Sequence, residues 1–263
     1  MKMDSDWGKE ILREYEDKNP IGVSLEDTRS RDEIFARIRS LYKKEDHTIT
    51  KNLVKKGDMV FLVMPQDKAA PKDRIIKPQV MTIREIIDKG ASAICTDLSN
   101  FETTIKSLNK IDLIITDSQA FKKVYEKKPK DVKLTSFSVL FSALKGDLAY
   151  FVESAAVLDA PLKNILISEA CSHPPIDEDI GSVKIPKLIR KAHPDVAIDF
   201  VRGNDPIDYK KYDLIIACGS CMFNRTHVLA RIEKAKEAGT PMTNYGIAIA
   251  KMNKILEKIT LPE

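Results

Sequence analysis

The strongest constraint on this chain is a repeating alternation of short, almost continuously apolar runs with helical segments, beginning near residue 56. MVFLVM (59–64), SAICTD (92–97), DLIITDS (112–118) and KLTSFSVLF (133–141) read as strands. Between them, VMTIREIIDKG (80–90) closed by Gly90, FETTIKSLNK (101–110), and SQAFKKVYEKK (118–128) with Ser118 as its candidate cap carry helical spacing. Strands that are apolar on both faces need cover on both faces, and helical crossovers between them favour parallel pairing.

A longer helix over SALKGDLAYFVESAAVLDA (142–160) leads to Pro161, after which the rhythm resumes. NILISEA, VAIDFVRG and DLIIACG read as strands. SVKIPKLIRKAH, NRTHVLARIEKAKEAG stopped by Gly239, and GIAIAKMNKILEKI read as helices. The first 45 residues differ: two charged helical stretches, WGKEILREYEDK and RSRDEIFARIRSLYKK, flank the apolar piece PIGVSLE. The expected architecture is therefore α/β. Two α/β domains with mainly parallel sheets flanked by helices, residues 46–159 and 160–263, follow a lead-in over residues 1–45. No residue-level repeat relates the two halves.

Bulk properties narrow the function classes. At 43% hydrophobic and 31% charged, the chain has the composition of an ordered globular protein. Forty-three basic residues against thirty-nine acidic give +4, spread without clustering, which argues against nucleic acid as a partner. No apolar run reaches membrane-span length, and the charged N-terminus does not read as a signal peptide, so a cytoplasmic location is expected. Four cysteines without dense, regular spacing do not make a disulfide framework.

Their placement carries more. NILISEA runs into Cys171 and DLIIA runs into Cys218, three residues before Cys221, so both loops fall at carboxyl ends of expected parallel strands. Ligands of open α/β sheets bind at that edge. Cys171, Cys218 and Cys221 thus form a candidate three-thiolate set, suited to an iron–sulfur cluster or to zinc. The loop after Cys171 also offers His173 and the acidic run containing Glu178 as a fourth ligand, replaceable in the case of an iron cluster. Gly219 and Ser220 allow backbone N–H groups to approach an anionic centre, and a helix starting near Asn224 or Arg225 adds a favourable dipole.

Two other readings stay open at the level of these residues. Cys171, His173, Cys218 and Cys221 would also build a zinc-stabilised interaction module, and Cys218 with Cys221 alone would make a dithiol oxidoreductase. Cys95 reads as a buried apolar thiol, His47 and His193 as surface histidines, and His227 as helix surface or a group behind the ligands. No GxxxxGK[ST] phosphate loop and no CxxxCxxC triplet occur, and four scattered histidines do not support a Ser-His-Asp triad. The chain is therefore not expected to hydrolyse a nucleotide by the usual P-loop route.

LISEACSHPPIDEDIGSVKIPKLIRK, LIIACGSCMFNR and GTPMTNYGIAIAKMNKIL together resemble the cluster-binding domain of the HydF family of [FeFe]-hydrogenase maturation factors. VMPQDKAAPKDRIIKPQVMTIREIIDKGA, IITDSQAFKKV and LTSFSVLFSALKGDL resemble the family's dimerisation domain, and the likeness covers about residues 50–258. Cys171 and His173 fit the family's Cys-x-His element, and Cys218 and Cys221 fit its His-Cys-x-x-Cys element, with Ala217 where the histidine is expected. The resemblance implies a scaffold and carrier that forms a homodimer and binds a [4Fe-4S] cluster through three cysteines. It further implies that the cluster holds a diiron precursor of the hydrogenase active site for transfer to apo-hydrogenase, alongside the other maturation enzymes. Arg225 and Lys184 are the cations expected to steady the added negative charge. PIGVSLEDTRSRDEIFARI resembles the last strand and helix of the family's GTPase domain, so residues 1–45 are expected to be its remnant, and GTP binding to belong to residues upstream of this chain.

Overall fold

The computed structural model describes residues 27–41, 47–65, 75–170, 179–220 and 222–263. The chain divides into two units, residues 1–46 and 47–263. In the first, the described element is helix α1, Thr28–Leu41, where RSRDEIFARIRSLYKK predicts one. The other expected helix and the PIGVSLE piece lie outside the described residues.

The second unit contains two four-stranded sheets, and every strand pairing in both is parallel. In the first sheet β1 (Met59–Val63) and β3 (Leu113–Thr116) lie at the centre, with β2 (Ser92–Thr96) and β4 (Lys133–Ser136) at the edges. The crossovers run through α2 (Lys77–Asp88), α3 (Phe101–Lys106) and α4 (Phe121–Lys127). Phe61 and Ile114, paired in register, are both fully buried, as the continuous apolar runs require. Edge strand β2 leaves Cys95 exposed, which corrects the expectation of a buried thiol: an edge strand has a neighbour on one side only, and none of the five residues of β2 is fully buried.

The second sheet repeats the arrangement with β5 (Asn164–Glu169) and β7 (Leu214–Ala217) central, and β6 (Ala197–Arg202) and β8 (Met242–Asn244) at the edges. Its helices are α7 (Ile185–Ala192), preceded by a π-helical turn over Ile180–Lys184, α8 (Arg225–Ala238) and α9 (Tyr245–Met252). Gly239 ends α8 with φ +71°, the left-handed conformation that a helix C-terminus favours and glycine takes without strain.

Between the sheets the chain departs from expectation. The run KLTSFSVLF is a strand only as far as Ser136, whose Oγ then accepts from Val139 N–H at 3.4 Å and caps α5 (Phe137–Lys145). The single helix expected over 142–160 is broken at Gly146 into α5, α6 (Leu148–Ser154) and a 3-10 turn over Ala155–Asp159. Asp147 caps α6 through Tyr150 N–H at 3.0 Å, and a Cβ at Gly146 would lie 2.6 Å from Phe151 Cε2. Ser118 does not cap α4: its Oγ bonds Ser138 Oγ, and α4 begins three residues later without a side-chain cap. Strand β8 was not expected, because three residues with two polar side chains carry no apolar period. Burial creates it: Thr243 Oγ1 donates to Phe151 O at 2.8 Å, and Asn244 Oδ1 caps α9 through Ile247 N–H at 3.0 Å.

One hydrophobic core runs through both sheets, joining Phe61 and Ile114 of the first to Ile165 and Ile216 of the second through Val139 of α5 and Phe151 of α6. The expected boundary at 159/160 falls between the 3-10 turn and β5, with one sheet on each side. Among the described residues no helix is long and apolar enough to cross a membrane. The halves approach closely at Gly246 of α9, where a Cβ would lie 2.5 Å from Ser138 Cβ. Gly246→Ala should therefore destabilise the protein by about 1–3 kcal/mol through overpacking, read as a lower urea midpoint with an unchanged far-UV spectrum.

Candidate metal centre at the carboxyl edge of the second sheet

In the order β6-β5-β7-β8, the crossovers leave β5 toward β6 on one side and continue to β7 on the other. The strand order thus reverses between β5 and β7, and the crevice beyond their carboxyl ends is where this class of sheet binds ligands. Ser168 of β5 pairs in register with Ala217 of β7, and Cys218 N–H donates to Ser168 O at 2.8 Å. Cys218 is therefore fixed at the mouth of that crevice by the sheet ladder itself.

Its sulfur accepts two backbone donors, Ala170 N–H at 3.1 Å and Ser220 N–H at 3.4 Å. Ser220 reaches this position with φ +51°, in the left-handed region, while its Oγ donates to Cys218 O at 3.2 Å. A Cβ at Gly219 would meet no described residue within 4 Å, so the described residues leave space over the turn. Amide donors converging on a sulfur suit an anionic thiolate or a sulfur-bound cluster.

The turn is clamped from outside. Lys145, the last residue of α5, donates to Ser220 O at 2.7 Å and Phe223 O at 2.9 Å. Arg225 Nη1 donates to Leu144 O at 2.9 Å and Gly146 O at 3.4 Å, satisfying carbonyls at the end of the same helix. Asn224 Oδ1 caps α8 through His227 N–H at 2.8 Å. Arg225 is thus engaged with helix carbonyls, and Lys184 donates to Gln119 Oε1 at 2.7 Å, so the two cations expected at the sulfur site are committed elsewhere.

Other charges take that place. Arg231, on the second turn of α8, donates to Ser168 Oγ at 3.1 Å and Gly203 O at 2.6 Å and lies 4.7 Å over the Phe223 ring. Burial pulls its pKa down, while Tyr209 and the Cys218 sulfur act the other way. At the end of β5, Glu169 accepts from Arg202 Nε at 3.1 Å and from Tyr245 OH at 3.2 Å. The Tyr245 hydroxyl is held far above its usual range by burial, then by Glu169 and Cys218. Gly181 makes room for this group, since a Cβ there would lie 3.0 Å from Tyr245 Cζ and closer still to the hydroxyl and to Glu169 Oε1.

The His227 ring lies tilted against Phe223 with ring centroids 4.1 Å apart, and its buried Nε2 has no hydrogen-bond partner among the described residues. It lies behind the turn and is half-buried, so the reading as plain helix surface gives way. Burial and the charges of Arg231 and Lys234 lower its pKa. Of the other histidines, His47 is exposed as expected, whereas the half-buried His193 donates from Nε2 to Leu158 O at 3.0 Å.

Of the expected ligands, Cys218 is at the crevice, while Cys171, His173, Glu178 and Cys221 lie outside the described residues. Among the described residues no three histidine, cysteine or carboxylate groups gather on one metal position. Ala217, where the resembling family carries histidine, is buried as the last residue of β7. Arg231 was not singled out in the sequence: its position in a charged helix looks like solvated surface, and only the approach of three loops makes it part of the site.

The fold and site define a protein of two packed parallel α/β sheets with a cysteine, Cys218, at the switch point of the second. The hydrogen maturase F dimerization domain matches residues 49–146, and the hydrogen maturase F tetramerization domain matches residues 149–262. The chain belongs to the hydrogen maturase F family. No curated protein matches it. Among solved structures it is similar to an ABC transporter system solute-binding protein from Conexibacter woesei, at 11% identity over 76% of this chain and 74% of that one, TM-score 0.27. It is also similar to ornithine transcarbamoylase from Giardia lamblia, at 11% identity over 79% and 86%, TM-score 0.27. Neither likeness bears on fold or function at those scores.

Two outcomes follow from this geometry. Lys145→Met removes two charge-assisted bonds to the Cys218 turn and should cost about 1–3 kcal/mol, with faster amide exchange concentrated at residues 219–223. For His227, the fold favours the neutral ring, so the unfolded chain binds the proton at higher pH. Stability should fall as pH drops below about 6.5, the ordinary histidine value, and His227→Phe should flatten that part of the stability–pH curve.

Proposed function

We infer that the chain acts in hydrogenase maturation as a scaffold and self-associates through the two matched domains. The expected dimer is thereby extended by a tetramerisation domain.

We propose that the crevice beyond β5 and β7 binds a [4Fe-4S] cluster through Cys171, Cys218 and Cys221, with His173 or Glu178 at an exchangeable fourth position. One observation carries the reading. The two backbone amides on the Cys218 sulfur belong to Ala170 and Ser220, the residues immediately before Cys171 and Cys221 in the chain. The second sheet thus draws the stems of both cysteine loops onto one sulfur, which a local dithiol would not need. When bound, the cluster supplies an iron with a labile ligand, able to hold a diiron precursor for transfer to apo-hydrogenase. The chain contributes the thiolates, the amide donors and the cationic wall that offsets negative charge. Residues 1–45 serve as the end of an upstream GTPase domain, and the protein works in the cytoplasm.

Anaerobic reconstitution with iron and sulfide, followed by metal and sulfide counts and EPR of the reduced protein with and without imidazole, tests the reading. A cubane signal that changes with imidazole is expected, and Cys218→Ser should lose the bound iron. Retained zinc without iron would overturn the cluster in favour of a structural metal, and unchanged iron in Cys218→Ser would remove that cysteine from the ligand set.

A further inference from the structure

Arg231 is half-buried, and its partners among the described residues are all neutral. Nη1 bonds the Ser168 hydroxyl, Nη2 bonds the Gly203 carbonyl, and the guanidinium plane covers Phe223. Neighbouring cations are neutralised locally: Arg202 by Glu169 at 3.1 Å and Lys211 by Asp199 at 2.6 Å. Among the described residues no carboxylate pairs with Arg231. Withdrawing a guanidinium from water without an anion is costly, so its charge is available to whatever anion the site contains.

Cys218 is the group placed to receive it. Both residues converge on the buried Ser168, Arg231 on its hydroxyl and the Cys218 amide on its carbonyl, and the aromatic face under Arg231 belongs to the turn that follows the cysteine. The arrangement suits arginine specifically, because a planar fork spans the ends of β5 and β6 while its face stacks on a ring, and a lysine ammonium would make only part of this set.

We infer that Arg231 is the positioning cation of the sulfur site, tying the carboxyl ends of β5 and β6 to the Phe223 turn and setting the positive field in which Cys218 and any anion held beside it sit. The inference deepens the reading above and shares with it the role of Cys218, but it requires no iron. If reconstitution fails, the cluster falls and the field of Arg231 can still be read.

The test uses the full chain, metal-free and reduced, and compares alkylation by anionic iodoacetate with alkylation by neutral iodoacetamide. Rates are followed residue by residue through fragment mass spectrometry. The ratio of the two rates at one thiol cancels its thiolate fraction and reports the local field on the reagent. In the wild-type protein the ratio at Cys218 should exceed that at the exposed Cys95 by roughly threefold, and it should fall toward the Cys95 value as salt is raised. Arg231→Gln should remove the excess, and Arg231→Lys should keep most of it. Equal ratios at the two thiols in the wild-type protein, or a ratio in Arg231→Gln that stays high while both variants lose thermal stability alike, would leave Arg231 a neutral staple and overturn the inference. If the glutamine variant does not fold, equal wild-type ratios still overturn the inference, and Lys145→Met, which removes the other cation on that turn, should leave most of the excess in place; loss of the excess in Lys145→Met would assign the field to Lys145 and overturn the inference.

Discussion

The parallel pairing of β5 with β7 is the constraint on which the site depends. With Ser168 and Ala217 in register, each strand delivers its following loop to the same edge, and the ladder continues one step further into the bond from Cys218 N–H to Ser168 O. A slip of one residue between them would turn the side chains of one strand to the opposite layer, because alternate side chains face opposite layers. Burial of Ile165 and Leu214 on one face of the sheet and of Leu166 and Ile215 on the other therefore helps to hold the cysteine in place.

The first sheet takes part as well. Helix α5 starts from β4, packs Val139 into the common core, and ends at Lys145, whose ammonium holds the carbonyls of the Cys218 turn. Arg225 returns the contact by satisfying carbonyls at the end of α5. The element that closes the first sheet is thus the one that clamps the sulfur loop of the second. The 2.5 Å approach that a Gly246 Cβ would make to Ser138 Cβ shows how little slack exists between the halves.

Electrostatically the crevice is layered. Amides of Ala170 and Ser220 touch the sulfur, Arg231 stands behind it, and Glu169 is occupied by Arg202 and Tyr245 at its flank. Neutral His227 completes the back wall with its ring on Phe223. Such a setting stabilises negative charge on sulfur, which accords with the scaffolding role of a hydrogenase maturation family.

Much of this was legible in the sequence. The apolar runs at 59–64, 112–118, 164–170 and 213–219 are strands because a run of that length, buried on both faces, has few other ways to satisfy its backbone, and the placement of Cys218 beyond such a strand followed directly. The family could be recognised from the cysteine loops and the flanking segments together. Local pattern alone misread the stretch from 133 to 160, where an apolar period suits strand and helix equally and the cap at Ser136 and the crowding of Gly146 by Phe151 decide the breaks. It also missed β8, whose polar residues form a strand only because their hydroxyl and amide groups find buried partners. The choice among cations was likewise tertiary: Arg225, Lys184 and Arg231 look alike along the chain, and the meeting of β5, β6 and the Phe223 turn alone brings Arg231 to the sulfur. Periodicity and residue type determine the strands and where the thiol sits, because those depend on neighbours in sequence. Which charge faces that thiol depends on side chains far apart in the chain, and only folding brings them together.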